Sequence, residues 1–255
     1  MRTNTTKAKL AEGNVVFGAI ISRYAPDQVE LFGAMGYDFV MIDCEHGPMN
    51  LDQVEHMVRA AEVFGITPIA RIPNHDDSTV LRFLDRGIQG VIVPHVNTGE
   101  QADAVARAAR YYPEGHRGAG GGRPHDYGVG VSRDESARWV NAETLVIPMV
   151  EETEAVENLD DIVKVAGVDV LHVASGDLGQ SMGNPGAAEV RRVMSEAIPK
   201  IRAGGKMVGV GGNSPADAAG VAEFIKLGAN FVTISALGLM RLGAEDFRRR
   251  VDAAL

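Results

Sequence analysis

Cysteine is almost absent from this chain, and long apolar runs are missing altogether. Cys44 is the only cysteine among 255 residues, so no disulfide can form within the chain, and this usage is typical of a reducing compartment. The first residues lack the apolar core of a secretory signal, and no stretch approaches the roughly 18 apolar residues of a membrane span. The sequence therefore predicts a cytoplasmic protein with no membrane partner.

Positive charge is also scarce. The chain has 25 Lys and Arg residues against 34 Asp and Glu residues, a formal net charge of −9. This balance argues against nucleic acid as a partner, and it disfavours a highly anionic substrate unless a metal ion or an arginine offsets the repulsion. The length suits one barrel domain over residues 1–255 or, on length alone, two smaller domains.

What the chain does contain is an alternation of strand-like and helix-like segments. The strands are short and rich in Val and Ile, as strands covered on both faces should be. They are predicted at Val15–Ile21, Asp38–Asp43, Thr67–Ile72, Gly90–Val96, Thr144–Glu151, Val168–Ser175, Met207–Gly211 and Asn230–Ser235. Helices are predicted at Leu51–Phe64, Ser78–Arg86, Glu100–Tyr111, Glu154–Val165, Ala187–Ala203, Ala216–Leu227 and Leu239–Ala254. Eight such units predict an α/β fold, the (β/α)8 TIM barrel, with a doubly wound open sheet as the alternative.

One segment interrupts this alternation. Residues 112–143 form a long loop between the predicted helix Glu100–Tyr111 and the fifth strand, with a glycine run and the polar side chains of Arg117, Arg123 and His125. Loops of this length in a compact domain are usually functional or disordered. The segment is predicted to be a mobile cover over a polar site, and a flexible surface excursion is the alternative.

Polar side chains end several of the predicted strands. Because side chains alternate along a strand, each of these residues should share a face with the apolar residues before it. The predicted sets are Phe39, Met41 and Asp43; Ile69 and Arg71; Ile147, Met149 and Glu151; and Leu171, Val173, Ser175 and Asp177. Such sets predict a packed barrel interior with an active site at its C-terminal rim. The same alternation predicts that His95 projects into the mouth and that His172 packs against helices.

Two of these residues, Glu151 and Asp177, predict a metal site. They come from neighbouring strands, and two carboxylates suit Mg²⁺ or Mn²⁺ with positions left for water and a chelating substrate. Zinc is disfavoured because no His or Cys pair has its ligand spacing. The alternative for Glu151 is an acid at the start of the following helix, a place that Glu152 fits better.

The remaining rim residues predict acid–base and oxyanion chemistry. Arg71 could bind a carboxylate or a developing oxyanion, or form only a structural ion pair across the rim. His46 is the natural general base, with Asp43 to orient it, or else a rim histidine with a structural partner.

Lysine is missing from the positions where one class of aldolase needs it. None of the lysines ends a predicted strand, and a Schiff-base aldolase needs one there, so carbonyl chemistry should rely on a metal. The glycine-rich ends of the last two strands could cradle a phosphate, although tight turns explain them equally well.

The motifs resemble those of the HpcH/HpaI family of metal-dependent 2-oxoacid aldolases over nearly the whole length. The resemblance is carried by the segments Phe39-Val-Met-Ile-Asp-Cys-Glu-His-Gly-Pro48, Ala70-Arg-Ile-Pro-Asn-His-Asp-Asp77, Leu84-Asp-Arg-Gly87, Tyr112-Pro-Glu-Gly-His-Arg-Gly118, Glu151-Glu-Thr-Glu-Ala155 and Gly176-Asp-Leu178. It implies a barrel whose eighth helix is exchanged between subunits of a homohexamer, a trimer of dimers. It also implies that Glu151 and Asp177 bind the metal, that Arg71 binds substrate oxygen, and that His46 serves as base through a water.

The resemblance assigns a role to Asp85 as well. This residue lies at the end of the predicted helix Ser78–Arg86, which runs back to the opposite rim, so it should serve a neighbouring subunit's site. Two departures bear on the substrate: Met149 stands where many members have Gln, and the chain reads Ala174-Ser-Gly-Asp-Leu-Gly179 where members often read Gly-Pro-x-Asp-Leu-Ser. Met149, Ser175, Gly176, Asp177 and Arg71 are predicted to bind substrate.

The predicted function is a divalent-metal-dependent aldolase. It would cleave 4-hydroxy-2-oxoacids reversibly to pyruvate, or an analogue such as hydroxypyruvate, and an aldehyde, with Mg²⁺ or Mn²⁺ as cofactor, Co²⁺ as a further option, and no nucleotide cofactor. The alternatives are a CoA-thioester lyase of the citrate-lyase-like group, a phosphate-ligand barrel isomerase and a non-catalytic metal-binding scaffold.

Overall fold

The chain forms a closed barrel of eight parallel strands that follow one another in sequence order. The structure, a computed structural model, describes residues 2–255. The strands are Val16–Ile21 (β1), Phe39–Asp43 (β2), Thr67–Arg71 (β3), Gly90–Val93 (β4), Leu145–Val150 (β5), Val170–Ala174 (β6), Met207–Gly211 (β7) and Phe231–Ser235 (β8). Pairing of β8 with β1 closes the barrel. The predicted (β/α)8 TIM barrel is therefore confirmed, and the open sheet is wrong.

Helices surround the strands. They are Thr5–Ala11 (α1), Pro26–Ala34 (α2), Leu51–Phe64 (α3), Asp77–Leu84 (α4), Gly99–Ala108 (α5), Arg133–Glu143 (α6), Thr153–Glu157 (α7), Leu159–Ile162 (α8), Ser175–Ser181 (α9), Ala187–Ala203 (α10), Ala218–Leu227 (α11) and Ala236–Asp252 (α12). In α3, the Asn50 side chain accepts from the Gln53 N–H and the Gln53 side chain accepts from the Asn50 N–H, which forms a capping box. The helix ends at Gly65, whose φ of 67° needs glycine.

The barrel interior is filled by alternate residues of the strands. The buried interior cluster contains Leu10, Val16, Phe39, Met41, Ile69, Ile92, Leu145, Ile147, Met149, Val170, Ala174 and Phe231. The predicted inward faces of β2, β3 and β5 are confirmed. The prediction for β6 is wrong, because Leu171 and Val173 pack in the outer cluster with the helices while Val170 and Ala174 face inward.

His172 therefore lies inside the barrel rather than against the helices. It is 2% exposed, and its Nε2 is 3.1 Å from Thr233 Oγ1. A Cβ on Gly209 or Gly211 would lie 2.7 or 2.5 Å from the His172 ring. These two glycines of β7 make room for the imidazole, so they give no support to a phosphate cradle.

The helix α1 closes the N-terminal end of the barrel, a feature that the sequence reasoning missed. Leu10 of this helix is 2% exposed and joins the interior cluster. Asn4 caps the helix by accepting from the Lys7 N–H, and its amide nitrogen donates to the carbonyls of Gln89 and Glu143. The N-terminal end is thus sealed, and the C-terminal end is left to carry the site.

The segment 112–143 is more ordered than a long loop. It contains the 3-10 helix Arg123–Gly128 and the α-helix α6. Since it connects a helix to the next strand, it lies at the N-terminal rim, where Arg117 donates to Asp85 and Arg123 to Glu62. The prediction of a mobile cover over the chain's own site is therefore wrong.

The last helix, α12, extends away from its own barrel. Ala236 is its only buried residue, although Met240, Phe247 and Val251 lie along one stripe and are 58%, 71% and 40% exposed. Within the described residues, no helix is both long and apolar enough to cross a membrane.

Candidate active site

An arginine–aspartate pair occupies the C-terminal ends of β2 and β3. The two strands pair in register, which places Asp43 beside Arg71. Arg71 Nε and Nη2 donate to the two oxygens of Asp43 at 3.0 and 2.8 Å, and both residues are buried. This bidentate contact fixes the plane of the guanidinium. Arg71 Nη1 lies 2.9 Å from Glu45 Oε2.

The pKa of Arg71 reflects opposing influences. Burial lowers it, but the hydrogen bond and charge of Asp43 and the charges of Glu45 and Glu151 together raise it above its ordinary value. Arg71 therefore stays a cation at the rim, where it can bind an anionic oxygen.

Glu151, directly after β5, is a buried carboxylate with one unused oxygen. The residue is 1% exposed, and its Oε1 accepts from the His95 N–H at 3.0 Å. Its Oε2 is buried and has no hydrogen-bond partner in the described part of the chain. Burial raises the pKa of Glu151 to about 7, the His95 N–H opposes the shift, and the charges of Glu45 and Asp177 add to it. A carboxylate that is buried near other carboxylates is neutralised either by taking up a proton or by a cation beside it.

Asp177 approaches from the first turn of α9. It is half-buried, and its charge acts on Glu151. The sequence predicted it as the last inward residue of β6, but the strand ends at Ala174 and the helix then carries Asp177 to the rim.

These two carboxylates fit a hard divalent cation. The orphaned buried oxygen of Glu151 and the raised pKa of that residue both show a place where a cation would relieve an unfavourable arrangement. Across residues 2–255 no group of three or more His, Cys, Asp or Glu could hold a metal. An ion bound by Glu151 and Asp177 would thus keep coordination positions for water and substrate.

His46 is exposed near this site, but Asp43 does not orient its ring. The only hydrogen bond between the two runs from the His46 backbone N–H to Asp43 Oδ1, at 3.3 Å. The Asp43 carboxylate is occupied by Arg71. The predicted Asp43–His46 arrangement is therefore replaced by an Asp43–Arg71 arrangement. Burial, and then the charge of Asp43, raise the pKa of Cys44 to about 12, so this thiol is not a nucleophile.

Two further residues belong to the rim. Glu45, which the sequence reasoning did not select, contacts Arg71 and lies 3.5 Å from His95 Nε2. Glu45 comes two residues after Asp43, and residues at that spacing share a face of a strand. This spacing is the sequence feature that could have indicated Glu45. His95 does reach the mouth, but the reason given for it was wrong: Val91 and Val93 face the helices, and His95 turns inward with a φ of 55° after β4 has ended.

The predicted substrate-binding residues lie beneath and beside the carboxylates. Met149 is 2% exposed and lies in the barrel interior, where it pairs in register with His172. Ser175 and Gly176 begin α9, and the loop after β7 presses on them closely, since a Cβ on Gly212 would lie 2.4 Å from Ser175 Oγ.

Asp85 does not lie near these residues. It follows α4, and Arg117 Nη2 donates to its Oδ1 at 2.8 Å. The strand β4 begins at Gly90, so Asp85 is at the N-terminal rim, opposite the carboxylates. Within one chain the structure does not bring Asp85 to the site.

Comparison with known proteins identifies the family. Residues 20–240 match the family described as HpcH/HpaI aldolase/citrate lyase. The chain belongs to this family. A HpcH/HpaI aldolase/citrate lyase family protein from Burkholderia cenocepacia J2315 superposes with a TM-score of 0.89 at 26% identity, over 98% of this chain and all of that one.

Relatives in the HpcH/HpaI family carry aldolase names. The chain is 36% identical over 236 residues to a 4-hydroxy-2-oxovalerate aldolase from Novosphingobium aromaticivorans, covering 90% of this chain and 87% of that protein. It is 33% identical over 258 residues to a 2-keto-3-deoxy-L-rhamnonate aldolase from Shigella sonnei (strain Ss046), covering 96% and 92%. The predicted family and the prediction of an enzyme are thus confirmed, and aldolases of this family depend on a divalent metal ion.

Proposed function

We propose that this protein is a divalent-metal-dependent aldolase that cleaves 4-hydroxy-2-oxoacids reversibly to pyruvate, or a close analogue such as hydroxypyruvate, and an aldehyde. The observation that carries the proposal is the unpartnered buried oxygen of Glu151, beside Asp177 and within range of the Arg71 cation. The names of the relatives support the same reaction class.

Glu151 and Asp177 are the proposed metal ligands, and Mg²⁺ or Mn²⁺ are the proposed ions, with Co²⁺ as a substitute. When bound, such an ion supplies Lewis-acid stabilisation of the enolate form of the 2-oxoacid. The surroundings of Glu151 favour binding, because its Oε1 is already held by the His95 N–H and only Oε2 is free.

Arg71 is the proposed binding residue for a substrate oxygen. Its guanidinium is fixed by Asp43 and Glu45, so it is oriented before substrate arrives and loses little freedom on binding. Asp43 engages Nε and Nη2 and Glu45 lies against Nη1, which leaves one N–H on Nη1 and one on Nη2 for a substrate oxygen. Asp43 thus acts in catalysis by positioning Arg71.

His46 is the proposed general base for the 4-hydroxyl proton, acting through a water. Its exposed ring makes no hydrogen bond within residues 2–255, so it is free to receive a proton from a bridging water. The proposed pocket for the 2-oxoacid is formed by Met149, Ser175, Gly176 and Asp177. The Met149 thioether lies at the interior end of this pocket, where it offers a polarisable contact surface and no strong hydrogen-bond donor.

The proposed assembly is a homohexamer, a trimer of dimers, in which α12 is exchanged between neighbours. The support is the exposed apolar stripe of Met240, Phe247 and Val251 on a helix that barely touches its own barrel. Asp85, at the far rim of its own barrel, would then serve a neighbour's site.

The assembly has its own experiment. Phe247→Glu should reduce the particle size measured by light scattering and reduce turnover with it, because the stripe could no longer be buried and Asp85 would be removed from its neighbour. Arg248→Gln, at an exposed position beside it, should change neither. A Phe247→Glu variant with the native particle size would refute the burial of α12 between neighbours, and a monomeric variant with full turnover would refute the role of Asp85 in a neighbour's site.

The reaction class is tested by chelation. Treatment with EDTA should abolish cleavage of a 4-hydroxy-2-oxoacid, and added Mn²⁺ or Mg²⁺ should restore it. Borohydride in the presence of pyruvate should leave activity unchanged, since no lysine ends a strand. Full turnover in a chelated sample would defeat the proposal, and faster cleavage of malyl-CoA than of free oxoacids would move the assignment to a CoA-thioester lyase.

A further inference from the structure

His95 has a backbone conformation that its own side chain does not explain. Its φ is 55°, in the left-handed region that residues other than glycine adopt uncommonly, with Asn, Asp and His as the most frequent exceptions. The conformation brings its N–H to Glu151 Oε1 at 3.0 Å. A glycine or an asparagine could supply that N–H with less strain. The imidazole therefore calls for a separate explanation.

The ring of His95 is held firmly on one side. Its Nδ1 lies 2.7 Å from Glu152 Oε1, and the other oxygen of Glu152 accepts from Asn97 Nδ2 at 3.0 Å. Both oxygens of Glu152 are thus engaged, and the carboxylate fixes the orientation of the ring.

The other side of the ring faces the mouth of the site. Nε2 is 3.5 Å from Glu45 Oε1, and it makes no hydrogen bond anywhere in residues 2–255. The side chain is 54% exposed, and Nδ1 lies 3.9 Å from Glu151 Oε1. An oriented imidazole, whose Nε2 has only the 3.5 Å contact with Glu45 and no hydrogen bond, thus stands between the Glu151 carboxylate and the Glu45–Arg71 pair.

A bound 4-hydroxy-2-oxoacid would place its oxoacid half and its aldehyde-derived half at different depths in the site. The carboxylate and 2-oxo group belong at the interior end, with Glu151, Asp177 and the buried Met149. The carbons that derive from the aldehyde must therefore extend outward to the open rim, where the half-exposed His95 ring stands.

We propose that His95 determines acceptor specificity: its Nε2 hydrogen-bonds to a hydroxyl on the carbon next to the aldehyde carbonyl, so that the preferred acceptors are 2-hydroxyaldehydes. This inference rests on the proposed aldolase function. A fixed polar group that loses its partner when the substrate lacks the hydroxyl is an effective source of discrimination.

The test compares two acceptors that differ by one hydroxyl, glycolaldehyde and acetaldehyde, with pyruvate and Mn²⁺. The native enzyme should prefer glycolaldehyde by about tenfold or more in kcat/KM, the value of one good hydrogen bond. His95→Asn, chosen because Asn tolerates positive φ, should lose most of that preference while acetaldehyde turnover changes by less than about threefold. His56→Asn, on the exposed face of α3, should keep the native ratio.

Binding measurements separate specificity from structure. Mn²⁺ affinity, measured by titration calorimetry, should be the same in His95→Asn as in the native enzyme, because the backbone N–H to Glu151 is retained. An unchanged acceptor ratio, an equal loss for both acceptors, or a loss of Mn²⁺ binding would each overturn the inference. An absence of turnover with every acceptor would instead remove the proposed function and the inference together.

Discussion

The two ends of the barrel hold carboxylates in different ways, a partly buried one at the N-terminal end and a buried one at the C-terminal end. At the N-terminal end, Asp169 uses both oxygens: Oδ2 accepts from the Val146 N–H at 2.8 Å and from Arg110 Nη2 at 3.0 Å, and Oδ1 lies 3.0 Å from Lys7 Nζ. At the C-terminal end, Glu151 is more deeply buried, yet one of its oxygens has no partner among the described residues.

The different surroundings of Asp169 and Glu151 indicate a structural role for the first and a functional role for the second. Hydrogen bonds and ion pairs offset the free energy that a carboxylate loses when it leaves water, whereas a buried carboxylate oxygen without a partner leaves that cost uncompensated. Natural chains retain such a cost mainly where a ligand removes it. The N-terminal end is therefore a sealed structural end, and the C-terminal end is where we propose that a cation and a substrate bind.

The largest expected effect comes from removing the unpartnered carboxylate. Glu151→Gln should lower kcat by about 1,000-fold or more, equivalent to about 4 kcal/mol of activation free energy, because a metal ligand is lost. Mn²⁺ binding should disappear in calorimetry. Without metal, the variant should unfold at the same temperature as the native chain or higher, because a neutral amide replaces a buried charge.

A matched control exists three residues later. Glu154→Gln, at an exposed position of α7, should leave turnover and Mn²⁺ binding unchanged. Retention of metal binding by Glu151→Gln would contradict the contrast between the two ends.

A smaller loss of activity is expected at Arg71. Lysine in its place cannot make the two-point contact with Asp43, so Arg71→Lys should lower kcat/KM by about 100-fold. Steady-state kinetics and a pyruvate binding titration measure the effect, and Arg59→Lys on the exposed face of α3 is the control. Native kinetics in Arg71→Lys would show that the pair with Asp43 is only structural.

At the opposite end the expected effect is on stability alone. Asp169→Asn removes the partner of Arg110 and Lys7, so the free energy of unfolding should fall by about 3 kcal/mol. Urea denaturation measures this loss, and kcat at a temperature where the variant is folded should stay native. Asp161→Asn, whose side chain is 74% exposed, should change neither quantity. A lower kcat in folded Asp169→Asn would show that the N-terminal end is not purely structural.

The smallest expected effect is a pH dependence from the middle of the barrel. Burial, and then the charge of Arg71, lower the pKa of His172 to about 3 from an ordinary value of 6.5. Between these values the unfolded chain binds a proton that the folded chain does not, so stability falls as the pH falls. The slope contributed by this residue approaches 1.4 kcal/mol per pH unit, to order of magnitude.

Unfolding by urea at pH 7, 6 and 5 tests this dependence. His172→Gln should show a shallower acid slope than the native chain, whereas His56→Gln, at an exposed position, should keep the native slope. Identical slopes for His172→Gln and the native chain would show that this imidazole is not held neutral.

Much of the candidate site could be predicted from the sequence. Particular residues show where strand periodicity no longer predicts the position of a side chain. The positions of Asp43, Arg71 and Glu151 at the C-terminal rim follow from sequence, because Asp43 and Arg71 end strands and Glu151 directly follows one, each after an uninterrupted apolar run. Asp177 was placed for the wrong reason, since β6 ends early and a helix turn carries the residue. Glu45 was missed because it lies beyond the strand, where periodicity no longer predicts direction.

The helix α1 and the helix α6 were missed for a related reason. Neither occupies a position that the repeating βα unit requires, and each is stabilised by long-range contacts such as those of Asn4 with Gln89 and Glu143. Local sequence patterns do not report such contacts.

The sequence by itself determined the number and order of the strands, the family, and the residue types available for chemistry, because these follow from local hydrophobic periodicity and short motifs. Only the tertiary structure decided that His172 points inward, that Asp43 holds Arg71 rather than His46, and that His95 bonds to Glu151. Closure of the barrel sets the rotation of each strand against its neighbours, and residues beyond the strand ends take directions from the contacts that closure creates.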